Sequence, residues 1–346
     1  MKPLSYSIEE ITTPLRFVVT VDTEADDAWS RPEQIQLDNL KQLPRFQDLC
    51  EQFGIVPTYL LAYECAHRDE ALSILKPLAD SKRCEIGHHL HVWTCPPFQS
   101  ISGDGIDHDW IHAHQFLLPD SLFVEKAESL RHEIETNFGR SPTSHRAGRW
   151  GIDQRTVDWL ASAGFIVETS MRPTMRLPNS LGIHAGTQYR PNRNPYVWHG
   201  RRTGNGLCES VIEIPATVDL PNGLLARYCR RWMSEGWPLD DTVTRIYRKL
   251  GGLQMLRPDP NYSPGVLPQI METAIRQGVT VINLMLHSSE LALNCSPSSN
   301  SRESLDRVWT HLAEIFEFAR SRSVRSESIT EVGRLVLQHV ETSKQP

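Results

Sequence analysis

Two short segments carry residues whose types and spacing could do chemistry together. Asp22 and Glu24 stand two apart in Thr20-Val21-Asp22-Thr23-Glu24, and His89 and His91 stand two apart in Gly87-His88-His89-Leu90-His91. In extended backbone, residues two apart point to the same side, so each pair can aim both groups at one point. Two imidazoles and a carboxylate form a common open donor set for zinc or a similar divalent ion, with positions left for water and substrate. His88 would point the other way and reads as a group behind the site or at the surface. The competing reading of the acidic pair is a solvated turn, because Asp26 and Asp27 follow closely.

Further groups could join them. Arg146, in His145-Arg146-Ala147-Gly148-Arg149-Trp150-Gly151, is either a fixed cation that holds a catalytic carboxylate ionised or a salt bridge to any acidic neighbour. Gly148 and Gly151 beside Trp150 suggest close backbone approach and an aromatic wall suited to a sugar face. His287 directly follows the apolar run Val281 to Leu286, and is a general acid or base or a structural histidine capping a strand. His108, His112 and His114 form a second histidine patch, read as loop residues that could reach metal or substrate. No Gly-x-Ser-x-Gly elbow supplies a serine nucleophile, and no Gly-x-Gly-x-x-Gly or P-loop supports a nucleotide cofactor.

The elements that must position these groups alternate. Strands are expected at Leu15 to Val21, Val56 to Leu61, Cys84 to His88, Phe165 to Val167, Ser210 to Pro215 and Thr280 to Leu286. Helices are expected at Leu37 to Phe53 (with a start or kink at Pro44), Ala71 to Leu78, Ser121 to Phe138, Gln154 to Ala163, Pro268 to Gln277 and Ser304 to Ser321. Arg146 follows a helix and loop rather than a clear strand. The rhythm predicts an α/β fold with a parallel sheet and crossover helices, whose sites lie at the carboxyl ends of the strands. Thr94 to Pro119 and Pro173 to Gly206 read as long loops near the site. With no repeat or linker, one domain over 1–346 is expected, its motif-bearing part about 15–290 and a helical closure about 300–340.

Composition narrows the function classes. The chain has 346 residues, 39% hydrophobic and 23% charged, with a net charge of -6 spread along it. No basic block marks a nucleic-acid or anionic-membrane partner. The polar N-terminus lacks an apolar signal region and no stretch is apolar enough to span a bilayer, so a cytoplasmic protein is expected. Seven scattered cysteines without a Cys-x-x-Cys pair read as reduced thiols.

Taken in order, these segments resemble the polysaccharide deacetylase (NodB-homology, carbohydrate esterase family 4) superfamily, in particular its branch from bacterial lipopolysaccharide and exopolysaccharide biosynthesis clusters. Thr20 to Glu24 is similar to the first motif, Glu85 to His91 to the second, Arg146 to Gly151 to the third and Leu286-His287 to the last. The resemblance implies a distorted (β/α) barrel that removes an N-acetyl group from a sugar or glycan precursor. It implies Asp22 as general base, Glu24, His89 and His91 as ligands of a divalent metal, zinc by preference, Arg146 as the residue holding the base, and His287 as general acid. Three features depart from the family pattern. The second carboxylate is a Glu two residues on rather than an adjacent Asp; Trp93 stands where the usual second histidine would, so His91 substitutes; and the nearest fourth motif is the stretch Glu213 to Asp219. Two other readings follow: an allantoinase-like cyclic amide hydrolase, and a catalytically idle barrel that binds a glycan or a partner protein.

Overall fold

The β-branched run ahead of Asp22 forms strand β1 (Arg16–Thr23), buried from Phe17 to its end. Such a run has no polar side to turn to water, so it must be covered on both faces. In the computed structural model, which describes residues 13–30, 34–98, 114–173, 192–200, 210–219 and 254–343, β1 lies within a nine-stranded sheet. Its other strands are β2 (Pro57–Leu61), β3 (Glu85–Leu90), β4 (Ser144–Ala147), β5 (Val167–Glu168), β6 (Tyr196–His199), β7 (Ser210–Glu213), β10 (Val281–His287) and β11 (Arg325–Ser326). Their order is β10-β1-β2-β3-β4-β5-β7-β6, with β11 beside the start of β1, and only the β6–β7 pair is antiparallel. A separate antiparallel pair is formed by β8 (Val218–Asp219) and β9 (Gln254–Met255).

The sheet curls into an open, distorted (β/α) barrel. Val18 of β1 shares one apolar cluster with Val167 of β5 and with Ile212 and Ile214 at β7, although three strands separate β1 from β5. The edge strand β10 is tied towards the far side by the Thr217 N–H, which donates to the Asn283 carbonyl at 3.1 Å. Helix α8 (Ile329–Ser343) fills the amino end of the lumen with Ile329, Val332 and Val336. Burying each such aliphatic side chain stabilises the fold by roughly 1.5–3 kcal/mol. Gly333 permits this approach, since a Cβ there would meet Val167 Cγ2 at 2.3 Å. The remaining helices are α1 (Leu43–Gln52), α2 (Tyr63–His67), α3 (Asp69–Asp80), α4 (Asp120–Phe138), α5 (Gln154–Ser162), α6 (Val266–Arg276) and α7 (Arg302–Ser321).

Several expectations shift. The segment Leu37 to Phe53 divides into a 3-10 turn over Asp38–Gln42 and α1, with Pro44 in the first turn of α1, where its missing N–H costs no hydrogen bond. Strand β3 runs on to Leu90, and Ser144–Ala147 is a strand where only a short segment after a loop was expected. The expected loop Pro173 to Gly206 contains β6; its residues 174–191 and 201–206 lie outside the described residues, as do 99–113 of the other loop. Cys50, Cys65, Cys84, Cys95 and Cys295 are buried free thiols. No helix among the described residues is long and apolar enough to cross a membrane.

Candidate metal centre

Strand order explains how distant segments meet. Asp22 sits opposite His287 in the β1–β10 register, and His89 sits opposite Arg146 in the β3–β4 register. All four lie at the carboxyl ends of parallel strands and point into the lumen, with Glu24 and His91 just beyond their strands.

Glu24, His89 and His91 each offer one donor atom, and the three atoms lie within 4.8 Å of one another. His91 Nε2 is 2.8 Å from Glu24 Oε2 and 2.8 Å from His89 Nε2, while His89 Nε2 is 3.7 Å from Glu24 Oε2. His89 Nδ1 bonds the Arg146 carbonyl at 2.9 Å. A carbonyl only accepts, so Nδ1 carries the hydrogen and Nε2 is the nitrogen turned to the cluster. This buried N, N, O set, with one imidazole already oriented from behind, could hold a divalent ion. Burial pushes the Glu24 carboxyl up, but His287, His89 and His91 together outweigh it and hold it well below the usual range.

Asp22 stands beside this set. Its Oδ1 accepts from Arg146 Nη1 at 2.6 Å, and its Oδ2 lies 3.9 Å from His89 Nε2 and 3.8 Å from His287 Nε2. Burial raises the Asp22 carboxyl, yet Arg146, His89 and His287 more than offset this and keep it ionised. Arg146 is 1% exposed. It also donates to the Thr169 carbonyl at 3.0 Å and to Thr20 Oγ1 at 2.8 Å, so its guanidinium has one orientation only.

Asp26 accounts for the competing reading of the acidic segment. It accepts from the backbone N–H groups of Asp38 and Asn39, both at 3.0 Å, and Asn39 Nδ2 reaches on to the Glu24 carbonyl at 3.0 Å. The turn is therefore made by Asp26, and it braces Glu24.

His287 has a partner that its own residue type did not announce. Glu290, fully buried, accepts the His287 backbone N–H at 3.0 Å, lies 3.7 Å from His287 Nδ1, and pairs with Arg257. Arg257 and His287 overcome the effect of burial and hold the Glu290 carboxyl at about 2. Burial lowers His287, but Glu24, Glu290 and Asp22 raise it overall, favouring the imidazolium. The available signal was the spacing of Glu290, three residues after a strand-ending residue, which is that of a capping box.

Around the cluster stand three tryptophans. Trp29 meets His287 edge-on with ring centroids 4.5 Å apart, Trp93 meets His91 at 4.3 Å, and the Arg146 guanidinium lies 5.4 Å from the Trp150 ring. Arg149 and Trp150 are both left-handed, with φ of 54° and 60°. Such non-glycine conformations cost about 1–3 kcal/mol each and gather at functional sites. Gly148 brings this segment against His91: a Cβ would lie 2.5 Å from the Leu90 carbonyl oxygen and 3.3 Å from His91 Nδ1.

Other candidates lie elsewhere. His88 is neither at the surface nor behind the metal set; it is buried on the convex face with His145, Nδ1 to Nδ1 at 2.8 Å, because β3 turns alternate residues to opposite faces. His114 stacks on Phe116, with His108 and His112 outside the described residues. In the stretch Glu213 to Asp219, Glu213 faces Glu168 and Asp219 pairs with Arg193.

No family model matches the sequence, and no curated protein matches it. Among solved structures, a protein of Mycobacterium smegmatis assigned as a polysaccharide deacetylase is 14% identical, with 98% of this chain and 97% of that chain covered and a TM-score of 0.50. The peptidoglycan deacetylase PdaC of Bacillus subtilis is 10% identical, with 96% of each chain covered and a TM-score of 0.41. BA3943 of Bacillus anthracis, a pseudoenzyme of carbohydrate esterase family 4, is 10% identical over 93% of this chain and 66% of that one, with a TM-score of 0.42. At 14% identity the first of these shows a shared fold, the distorted (β/α) barrel.

Proposed function

We propose that the chain is a metal-dependent amide hydrolase that removes an N-acetyl group from a carbohydrate or glycan precursor. The observation that carries the proposal is the placement of Glu24, His89 and His91 between two differently charged groups, Asp22 held by Arg146 and His287 backed by Glu290. A divalent ion bound at that set, zinc by its donor chemistry, would polarise the acyl carbonyl and lower the pKa of water.

The protein's own groups divide the proton work. Asp22, ionised against Arg146, uses the oxygen facing the cluster to take the proton of the attacking water. His287, on the neighbouring strand and biased to the imidazolium, gives a proton to the departing amine, which as an anion is a very poor leaving group. The two groups are biased to opposite protonation states, as paired acid and base require. Trp29, Trp93 and Trp150 offer apolar faces for the C–H surface of a sugar ring.

The test is acetate release from N-acetylated sugars by chelator-stripped protein with zinc restored. Acetate is expected, and His287→Ala should lower kcat by about a hundred- to ten-thousandfold. Full activity in that variant would remove His287 from the reaction. Ring opening of small cyclic ureides without acetate release would favour the cyclic amide reading, and failure of the wild-type protein to take up metal would favour the idle barrel.

A further inference from the structure

Strand β2 lies between β1 and β3, the two strands that carry the metal set, yet it ends in Tyr59, Leu60 and Leu61 and gives no donor. The chain turns directly from β2 into α2, whose second residue is Glu64. Glu64 is 4% exposed. Its Oε1 accepts the backbone N–H of Ala25, the residue after Glu24, at 3.2 Å. Its Oε2 is buried without a hydrogen-bond partner among the described residues, and so is His91 Nδ1. The two metal-set histidines therefore differ: His89 has its second nitrogen held by the Arg146 carbonyl, whereas His91 has no such support among the described residues. Metal-binding imidazoles almost always donate from the other nitrogen to a carboxylate, a carbonyl or water, which fixes ring and tautomer.

We infer that Glu64 is a positioning residue for His91, its Oε2 taking the Nδ1–H through one bridging water and so keeping Nε2 turned to Glu24 and His89. No direct hydrogen bond joins the two groups, each leaves one buried polar atom without a partner among the described residues, and a shared water would satisfy both. Glu64 and His91 each stand three residues past the Leu61–His88 pair of the β2–β3 register, just beyond the ends of neighbouring strands. One carboxylate thereby ties the Glu24 segment to the His91 ring from the strand between them. The inference rests on the reading that the set takes a metal.

The experiment measures zinc affinity by chelator competition, together with the visible spectrum of the cobalt-substituted protein. Glu64→Gln keeps an oxygen for the Ala25 N–H and nearly the same volume, but places an amide where the charge stood. It should bind zinc about 10- to 100-fold more weakly and shift the cobalt bands, with the melting temperature of the metal-free protein unchanged. Glu64→Asp, which retains the charge, should recover part of the affinity. Wild-type affinity and spectrum in Glu64→Gln, or equal losses in Glu64→Gln and Glu64→Asp, would overturn the role of Glu64. Failure of the wild-type protein to bind zinc or cobalt would overturn both this inference and the metal reading beneath it.

Discussion

Alternate residues of the same strands end in two different buried environments. On the concave face, Asp22, His89 and Arg146 are 3%, 2% and 1% exposed; on the convex face, His88, His145 and Glu213 are all 0% exposed. Depth of burial thus hardly separates the two sets, yet their charge states diverge. On the concave face Asp22 meets the opposite charge of Arg146 and keeps its ion. Convex groups run in register across β3, β4, β5 and β7 as His88, His145, Glu168 and Glu213, each next to its own kind. Burial drives His88 down to about 3 and His145 well below its usual value, while burial and Glu168 drive Glu213 well above the carboxylate range. A buried titratable row is therefore no sign of a site by itself; the counter-charge distinguishes the functional face.

The strongest way to break this comparison is to remove a counter-charge from the concave face. Arg146→Met should leave Asp22 buried without its 2.6 Å partner and cost about 3–5 kcal/mol of stability in urea unfolding. Adding Asp22→Asn should recover a large part of that loss, because the unpaired charge goes with it. A loss below about 1 kcal/mol for Arg146→Met would mean that the pair does not set the character of this face.

Which parts of this arrangement were legible beforehand follows from the range of each signal. Asp22 and Glu24 stood out because a β-branched run fixes a strand and its parity, and His89 and His91 because three histidines occur in four positions. His287 was legible from the apolar run before it. Strand β4 was not, since Ser144–Ala147 is four residues long and three of them are polar, too little for a period to register. Arg257 and Glu64 reach the site from an irregular segment and a five-residue helix, where no periodicity aims a side chain. For His88 the cause is simpler: strand parity turns it opposite to His89, but only the sheet's curvature and the helices outside it decide that the opposite face is buried.

A second test reverses the sign on the convex face. Glu213 titrates higher when folded than its ordinary 4.5, so between these values the folded state holds a proton that the unfolded state has released. The associated stability is complete below about pH 4.5 and is lost as pH rises towards the folded value, by about 1.4 kcal/mol per pH unit. Glu213→Gln retains an oxygen for the Met171 N–H and cannot ionise. Urea unfolding at pH 5, 6, 7 and 8 should show the variant gaining on the wild-type protein as pH rises. Parallel curves would show that Glu213 has no raised value, and the contrast between the faces would lose its acidic half.

The smallest effect is expected at His88, the immediate neighbour in sequence of a proposed ligand. His88→Gln should leave zinc affinity within about twofold, whereas His89→Gln should weaken it by far more, because only the latter removes a donor from the set. The pH dependence should change instead. The folded His88 imidazole stays neutral down to about 3, while the unfolded one takes up a proton below about 6.5, so the wild-type protein loses stability as pH falls through that interval. Removing one such group should flatten the loss between pH 6.5 and 5 by about 1.4 kcal/mol per pH unit at most. Among the described residues His88 bonds to the Ala127 carbonyl and to His145, neither of which leads to the concave face. A large loss of zinc affinity in His88→Gln would thus show that the two faces are coupled through β3 itself, and that partnering with charge does not fully separate them.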